Sequence, residues 1–141
     1  MSFVLDASVA LLWLVPQTNP AGAAYADSAL LALKESQALV PSLFALEVAN
    51  VVAKVEAKGI VSEADSQRFI SLLGQLELVT DVETMAHALD STLNLARRYK
   101  LSAYDAAYLE LALRKGLPLA TLDADLAQAA ARAGLHVFAV H

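Results

Sequence analysis

Short apolar runs and longer amphipathic stretches alternate along the chain. "SFVL" at Ser2–Leu5 is a compact apolar run ending at Asp6, as a buried strand requires. "SVALLWLV" follows as a short helix with Ser8 as its N-cap. "PQTNP", Pro16–Pro20, is a loop, because two prolines and an asparagine punctuate it. An Ala-rich helix runs from Ala21 to about Glu35, and Ala38–Val40 forms a second strand. Pro41–Ser42 open a helix that extends to about Lys58, where Gly59 suits the C′ position. "SEADSQRFISLLGQL" begins at Ser62 with an acidic first turn, a helix-start signature, and "LELVT" at Leu76–Thr80 is a strand. Glu83 to about Tyr99 reads as one helix, apolar at Met85, Leu89, Leu93 and Leu95–Ala96. Ser102–Lys115 is the next helix, stopped by Gly116–Leu117–Pro118. Leu119–Thr121 is a short strand, Asp123–Ala133 a final helix, and "HVFAV", His136–Val140, a last strand.

Strands separated by helices imply crossover connections and a parallel sheet. The expected fold is therefore α/β: a three-layer α/β/α domain with a central, mostly parallel sheet, spanning residues 1–141 as a single unit. In such sheets, sites form beyond the carboxyl ends of the strands.

Composition narrows the possibilities. With 141 residues and no cysteine, the chain needs no disulfide staple and cannot build a thiolate metal site. Its 57% hydrophobic content is high for a soluble monomer and points to an additional buried interface. Glu, Lys, Asn or Asp breaks each apolar run before the ~18 residues a membrane span needs. The start, "MSFVLDASVALLWLV", has no basic residue and carries Asp6, so it does not read as a signal peptide; we expect a cytoplasmic protein. The net charge of −5 argues against passive coating of nucleic acid, although bound cations can reverse the local charge at a nuclease site.

Several carboxylates sit where an apolar chain has little use for them. Asp6 ends the first strand, as a helix cap or as a site residue. Glu47 lies within a helix, with Leu43, Phe44, Asn50 and Val51 at helical spacing and no cation among them. Asn50, one turn on, shares its face. Asp105, in "LSAYDAAYLELAL", follows Ser102 by three, which also suits a first-turn acid favoured by the helix dipole. Asp123 follows "LAT" and precedes a helix, again as a cap or a site residue, and Asp125 decorates the same turn. Jointly, two acids just past strands and two near helix starts can converge on one rim. Clustered carboxylates raise one another's pKa unless a cation binds, and an all-oxygen donor set suits Mg²⁺ or Mn²⁺ rather than Zn²⁺. His87, His136 and His141 form no pair with ligand spacing. Trp13 and the tyrosines read as core or interface residues. "ARRYK", Ala96–Lys100, is the one dense basic cluster: a solvated helix end, or a contact for a phosphate backbone near Asp105.

The order of these acids, from "FVLDASV" through "LFALEVANVV" and "LSAYDAAYLELA" to "LATLDADL", resembles the PIN-domain ribonucleases and, more narrowly, the VapC toxins of toxin–antitoxin pairs. The resemblance covers essentially the whole chain. It implies a parallel sheet with an acidic pocket for Mg²⁺ or Mn²⁺, formed by Asp6, Glu47, Asp105 and Asp123. It also matches Ser8, Asn50 and Thr121 to supporting polar positions, and Asp125 to an acid found in only some members. The implied activity is hydrolysis of RNA by activated water, leaving a 5′-phosphate and a 3′-hydroxyl. The implied partners are RNA, a second copy of the chain and a small cognate antitoxin. A PIN-like binding module without catalysis stands as an alternative. A haloacid-dehalogenase-like phosphatase stands behind it as a lesser alternative, because it needs a second acid where Ser8 stands and a strand-end lysine, and a phosphorelay receiver needs clustered N-terminal acids and a late lysine where Leu122 and Asp123 follow the strand.

Overall fold

The computed structural model describes residues 2–138. Four strands, β1 (Phe3–Leu5), β2 (Ala38–Val40), β3 (Leu78–Thr80) and β4 (Leu119–Ala120), form one sheet in the order β3-β2-β1-β4. Every pairing is parallel, with Val4 opposite Leu39 on one side and Leu119 on the other. The expected α/β layering with a parallel sheet is thus the observed one. β1 is central, and Phe3, Val4 and Leu5 are wholly buried, which is why its sequence is a continuous apolar run rather than an alternating one. β3 forms one edge of the sheet, and its residues are partly or fully exposed.

Among the described residues, seven α-helices connect and cover the strands: α1 (Ala7–Ala10), α2 (Pro20–Ala32), α3 (Phe44–Ala57), α4 (Glu63–Gln75), α5 (Leu93–Tyr99), α6 (Ala103–Lys115) and α7 (Ala124–Arg132). α6 is the most deeply embedded, with every residue from Ala106 to Ala112 buried. A helix so enclosed must be apolar nearly all round, which accounts for "AAYLELA". Its buried acid, Glu110, is matched one turn later by Arg114, which donates from Nε at 2.8 Å and Nη2 at 3.0 Å. Arg114 also grips Asp81 and so ties the end of α6 to the turn after β3. Among the described residues, no helix is long and apolar enough to cross a membrane.

Three expectations need correction. Ser8 does not cap the first helix: Asp6 occupies the N-cap position, and Ser8 lies inside α1. The helix expected over 83–99 is three pieces, a 3₁₀ turn (Met85–His87), a π-helical turn (Ala88–Thr92) and α5. The wider π turn rotates the buried face, so Thr92 points inward while Met85 and Leu89, 72% and 89% exposed, face out. The last strand is reduced, among the described residues, to a parallel bridge from Val137 to Leu119; Ala139, Val140 and His141 lie outside them. Other bounds shift slightly: the helix opened at Pro41–Ser42 starts at Phe44, and the strands expected from Leu76 and to Thr121 start at Leu78 and end at Ala120.

Candidate functional site

Asp6 follows β1, and Thr121 follows β4, the neighbouring strand. The ladder places them side by side, since the Asp6 N–H donates to Ala120 O at 2.9 Å. Although Asp6 holds the N-cap position of α1, its side chain caps nothing. Its Oδ2 instead accepts from the Ser8 hydroxyl at 2.6 Å and the Thr121 hydroxyl at 2.7 Å. Each hydroxyl is itself held by a backbone N–H: Leu122 donates to Ser8 Oγ and Asp123 donates to Thr121 Oγ1, both at 3.0 Å. These bonds lock the Asp6 rotamer and leave Oδ1 without a side-chain donor. Burial pushes the Asp6 carboxyl above its usual range; the two hydroxyls pull it back, and the charge of Asp123 pushes it up again.

Asp123 does cap α7, accepting from the Leu126 N–H through Oδ1 at 2.9 Å, which leaves Oδ2 for other use. Glu47, in the first turn of α3, accepts through Oε1 from the Tyr108 hydroxyl of α6 at 2.5 Å. Burial raises Glu47, Tyr108 lowers it, and the charges of Asp6 and Asp105 raise it.

Asp105 is the acid the helix does not consume. The chain has two Ser-x-x-Asp helix starts. At Ser62 the box is complete, because Asp65 accepts from the Ser62 N–H and Ser62 Oγ accepts from the Asp65 N–H. At Ser102 only the serine half forms, accepting from the Asp105 N–H at 3.0 Å, so the Asp105 carboxylate receives no backbone donor. Its pKa is pushed up to about 6, first by burial and then by the charges of Asp123 and Asp6; the Ser102 hydroxyl opposes this, and Asp125 adds a smaller push.

Asp6 thus feels the charge of Asp123, Glu47 feels Asp6 and Asp105, and Asp105 feels Asp123, Asp6 and, more weakly, Asp125, which brings these acids together beyond the carboxyl ends of β1 and β4. Among the described residues, no Lys, Arg or His is in a salt bridge with any of these five. Nor do any three acids or histidines stand close enough, as placed, to hold an ion. The donor set, oxygen only and unneutralised, fits a hard divalent cation such as Mg²⁺ or Mn²⁺, which takes one or two carboxylates directly and others through water.

Asn50 is not drawn in: it is exposed and makes no hydrogen bond to Glu47. Its place is taken by Tyr108, which reading the tyrosines as core residues missed. Tyr108 is indeed wholly buried, but a buried phenol needs a partner, and its position three residues after Asp105 puts it on the same helix face.

Comparison with known proteins places the chain among relatives. The PIN domain family model matches residues 3–132. Ribonuclease VapC3 of Pyrobaculum aerophilum is 31% identical over 129 residues, covering 91% of this chain and 94% of that protein. The crystal structure of PAE2754 from Pyrobaculum aerophilum superposes with a TM-score of 0.63 at 26% identity, covering 92% of this chain and 79% of the other. The structure of VapBC2 from Rickettsia felis, bound to a DNA fragment from their promoter, gives 0.66 at 16% identity over 98% of both chains, a likeness of fold.

Proposed function

The chain belongs to the PIN-domain family, of the VapC type, and from that premise we propose that it is a metal-dependent endoribonuclease and the toxin of a toxin–antitoxin pair. The observation that carries this reading is the state of the four acids. Among the described residues, Asp6, Glu47 and Asp123 each have one oxygen fixed by a hydrogen bond and the other without a side-chain donor, and Asp105 does not close a capping box. Side chains held this way are aimed before a ligand arrives, which is what a charge-stabilising site needs.

Asp6 and Asp105 would hold Mg²⁺ or Mn²⁺, with Glu47 and Asp123 binding directly or through water. When bound, such an ion lowers the pKa of water and neutralises charge on phosphoryl oxygens. Ser8 and Thr121 keep Asp6 oriented. Glu47, its charge opposed by its neighbours, is suited to orient or accept a proton from water. Attack by water rather than by the ribose 2′-hydroxyl leaves a 5′-phosphate and a 3′-hydroxyl. Single-stranded or looped RNA is the substrate class, since its backbone is accessible. A cognate antitoxin, a homodimeric assembly and a cytoplasmic setting belong to the same reading.

The test is cleavage of single-stranded RNA with Mg²⁺ or Mn²⁺ by the wild type, Asp6→Asn and Asp105→Asn, with end-group analysis of the products. Loss in both variants and 5′-phosphate ends are expected. Undiminished cleavage in both, or 2′,3′-cyclic ends, overturns the assignment, and RNA binding without cleavage by the wild type leaves a binding module.

A further inference from the structure

One residue adopts a backbone conformation its side chain disfavours. Lys100, just after α5, has φ 56° and ψ 45°, the left-handed region. The other left-handed residues described are Gly59, Gly116 and Gly134, each at a helix end. There glycine carries no Cβ penalty, and Lys100 does. The position itself asks for glycine: the Leu101 N–H reaches back to Ala96 O at 3.1 Å, as in a Schellman ending. A strained residue in place of glycine points to a use for its side chain.

Its surroundings indicate what use. Arg98 and Arg132 both lie over the Tyr99 ring, each with its guanidinium carbon 5.6 Å from the centroid. The ring thus joins the end of α5 to the end of α7. Arg97, Arg98, Lys100 and Arg132 are all exposed, and among the described residues none is in a salt bridge. In a chain of net charge −5, four of its ten Lys and Arg residues therefore lie at the ends of α5 and α7, none with a carboxylate partner among the described residues. Asp105 follows Lys100 by five positions, so their Cα atoms are at most about 18 Å apart. Arg132 ends the helix that Asp123 caps, about 13 Å along its axis. The patch thus sits on the segment that leads into α6, whose first turn carries Asp105, and at the far end of the helix that Asp123 caps.

We propose that Lys100, with Arg98 and Arg132 braced on Tyr99, seats the phosphate backbone of single-stranded RNA beside the carboxylate cluster. This rests on the ribonuclease reading. The acids repel a polyanion, so a nearby cationic seat is what would hold the strand across them. The patch carries no base-reading geometry, and its contribution is to affinity and register rather than sequence choice.

Lys100→Gly separates use from architecture, because glycine relieves the strain. Its melting temperature should rise by about 2–5 °C. Its affinity for a fluorescent single-stranded RNA, measured in chelator so that nothing is cut, should fall roughly fivefold at low salt. The slope of log K against log salt should shrink by about 0.7, the share of one phosphate contact on a single strand. Lys100→Asn, which also tolerates the left-handed region, should behave alike if the glycine variant folds poorly, and Lys100→Arg should restore the slope. Unchanged affinity and slope in a folded variant overturn the proposal, as does a loss confined to duplex DNA. If the wild type binds RNA with this salt dependence but never cleaves it, the ribonuclease reading fails and the seat stands. If it cleaves and Lys100→Gly has an unaltered KM, the seat fails alone.

Discussion

Asp105→Asn should make the metal-free protein more stable. Ionising Asp105 costs the folded state more than the unfolded chain, since its pKa rises from 3.8 to about 6 on folding. Two units correspond to roughly 3 kcal/mol at full strength. The side chain is only half buried, so solvent screening reduces this to about 1–2 kcal/mol. The substitution also removes an acid from the first turn of α6, which forfeits about 0.5 kcal/mol of favourable dipole interaction. The net gain is about 1 kcal/mol at pH 7.5, or about 2–5 °C in melting temperature. The pH dependence has a definite sign. Stability contributed by the raised carboxyl is fully present below 3.8 and is lost as pH rises through about 6. The advantage of Asn should therefore fade towards pH 4. Thermal unfolding of both proteins in chelator, at pH 7.5 and pH 4, measures this directly. Adding Mn²⁺ at pH 7.5 should reverse the order, because only the wild type retains the full ligand set. A variant that melts below the wild type in chelator at pH 7.5, or a difference independent of pH, would refute the claim that Asp105 stands in a cluster of unneutralised acids.

Tyr108→Phe keeps the ring packing but removes the hydroxyl that donates to Glu47; a bond to a charged acceptor is worth about 1.5–3 kcal/mol, so calorimetry should show Mn²⁺ affinity falling about tenfold or more while the far-UV spectrum is unchanged. Thr121→Val leaves Asp6 with one hydroxyl and the Asp123 N–H with none, and should lower RNA cleavage more than it lowers the melting temperature. Arg114→Met strands Asp81 and Glu110 as buried acids and should cost about 3–5 kcal/mol in denaturant titrations at pH 7. Burial raises Asp81, but Arg114 and Thr84 together hold it below its usual value, so its stabilisation exists above 3.8 and is lost as pH falls through its lower folded value. The variant should lose that limb of the acid-denaturation profile.

Much of this molecule is determined by sequence alone. The strands β1, β2 and β4 are legible because central parallel strands are buried on both faces and must be continuously apolar. The helix starts at Ser62 and Ser102 are legible because capping is local chemistry. The acids at 6, 47, 105 and 123 stand out because each is a polar group in an apolar setting. What the sequence leaves open is whether each acid serves its own helix or something else, and only tertiary contacts decide that. Asp65 and Asp105 have the same spacing from a serine, yet one closes its box and the other does not. Asp6 holds a cap position without capping, because Ser8 and Thr121 turn it away, and Thr121 is 115 residues distant along the chain. Glu47 finds its donor on α6, 61 residues away, rather than one turn along at Asn50. The π turn at Ala88–Thr92 likewise escapes periodicity, since it depends on which face the packing buries. Local rules fix where the backbone turns and coils; side-chain partners depend on which elements the fold brings side by side.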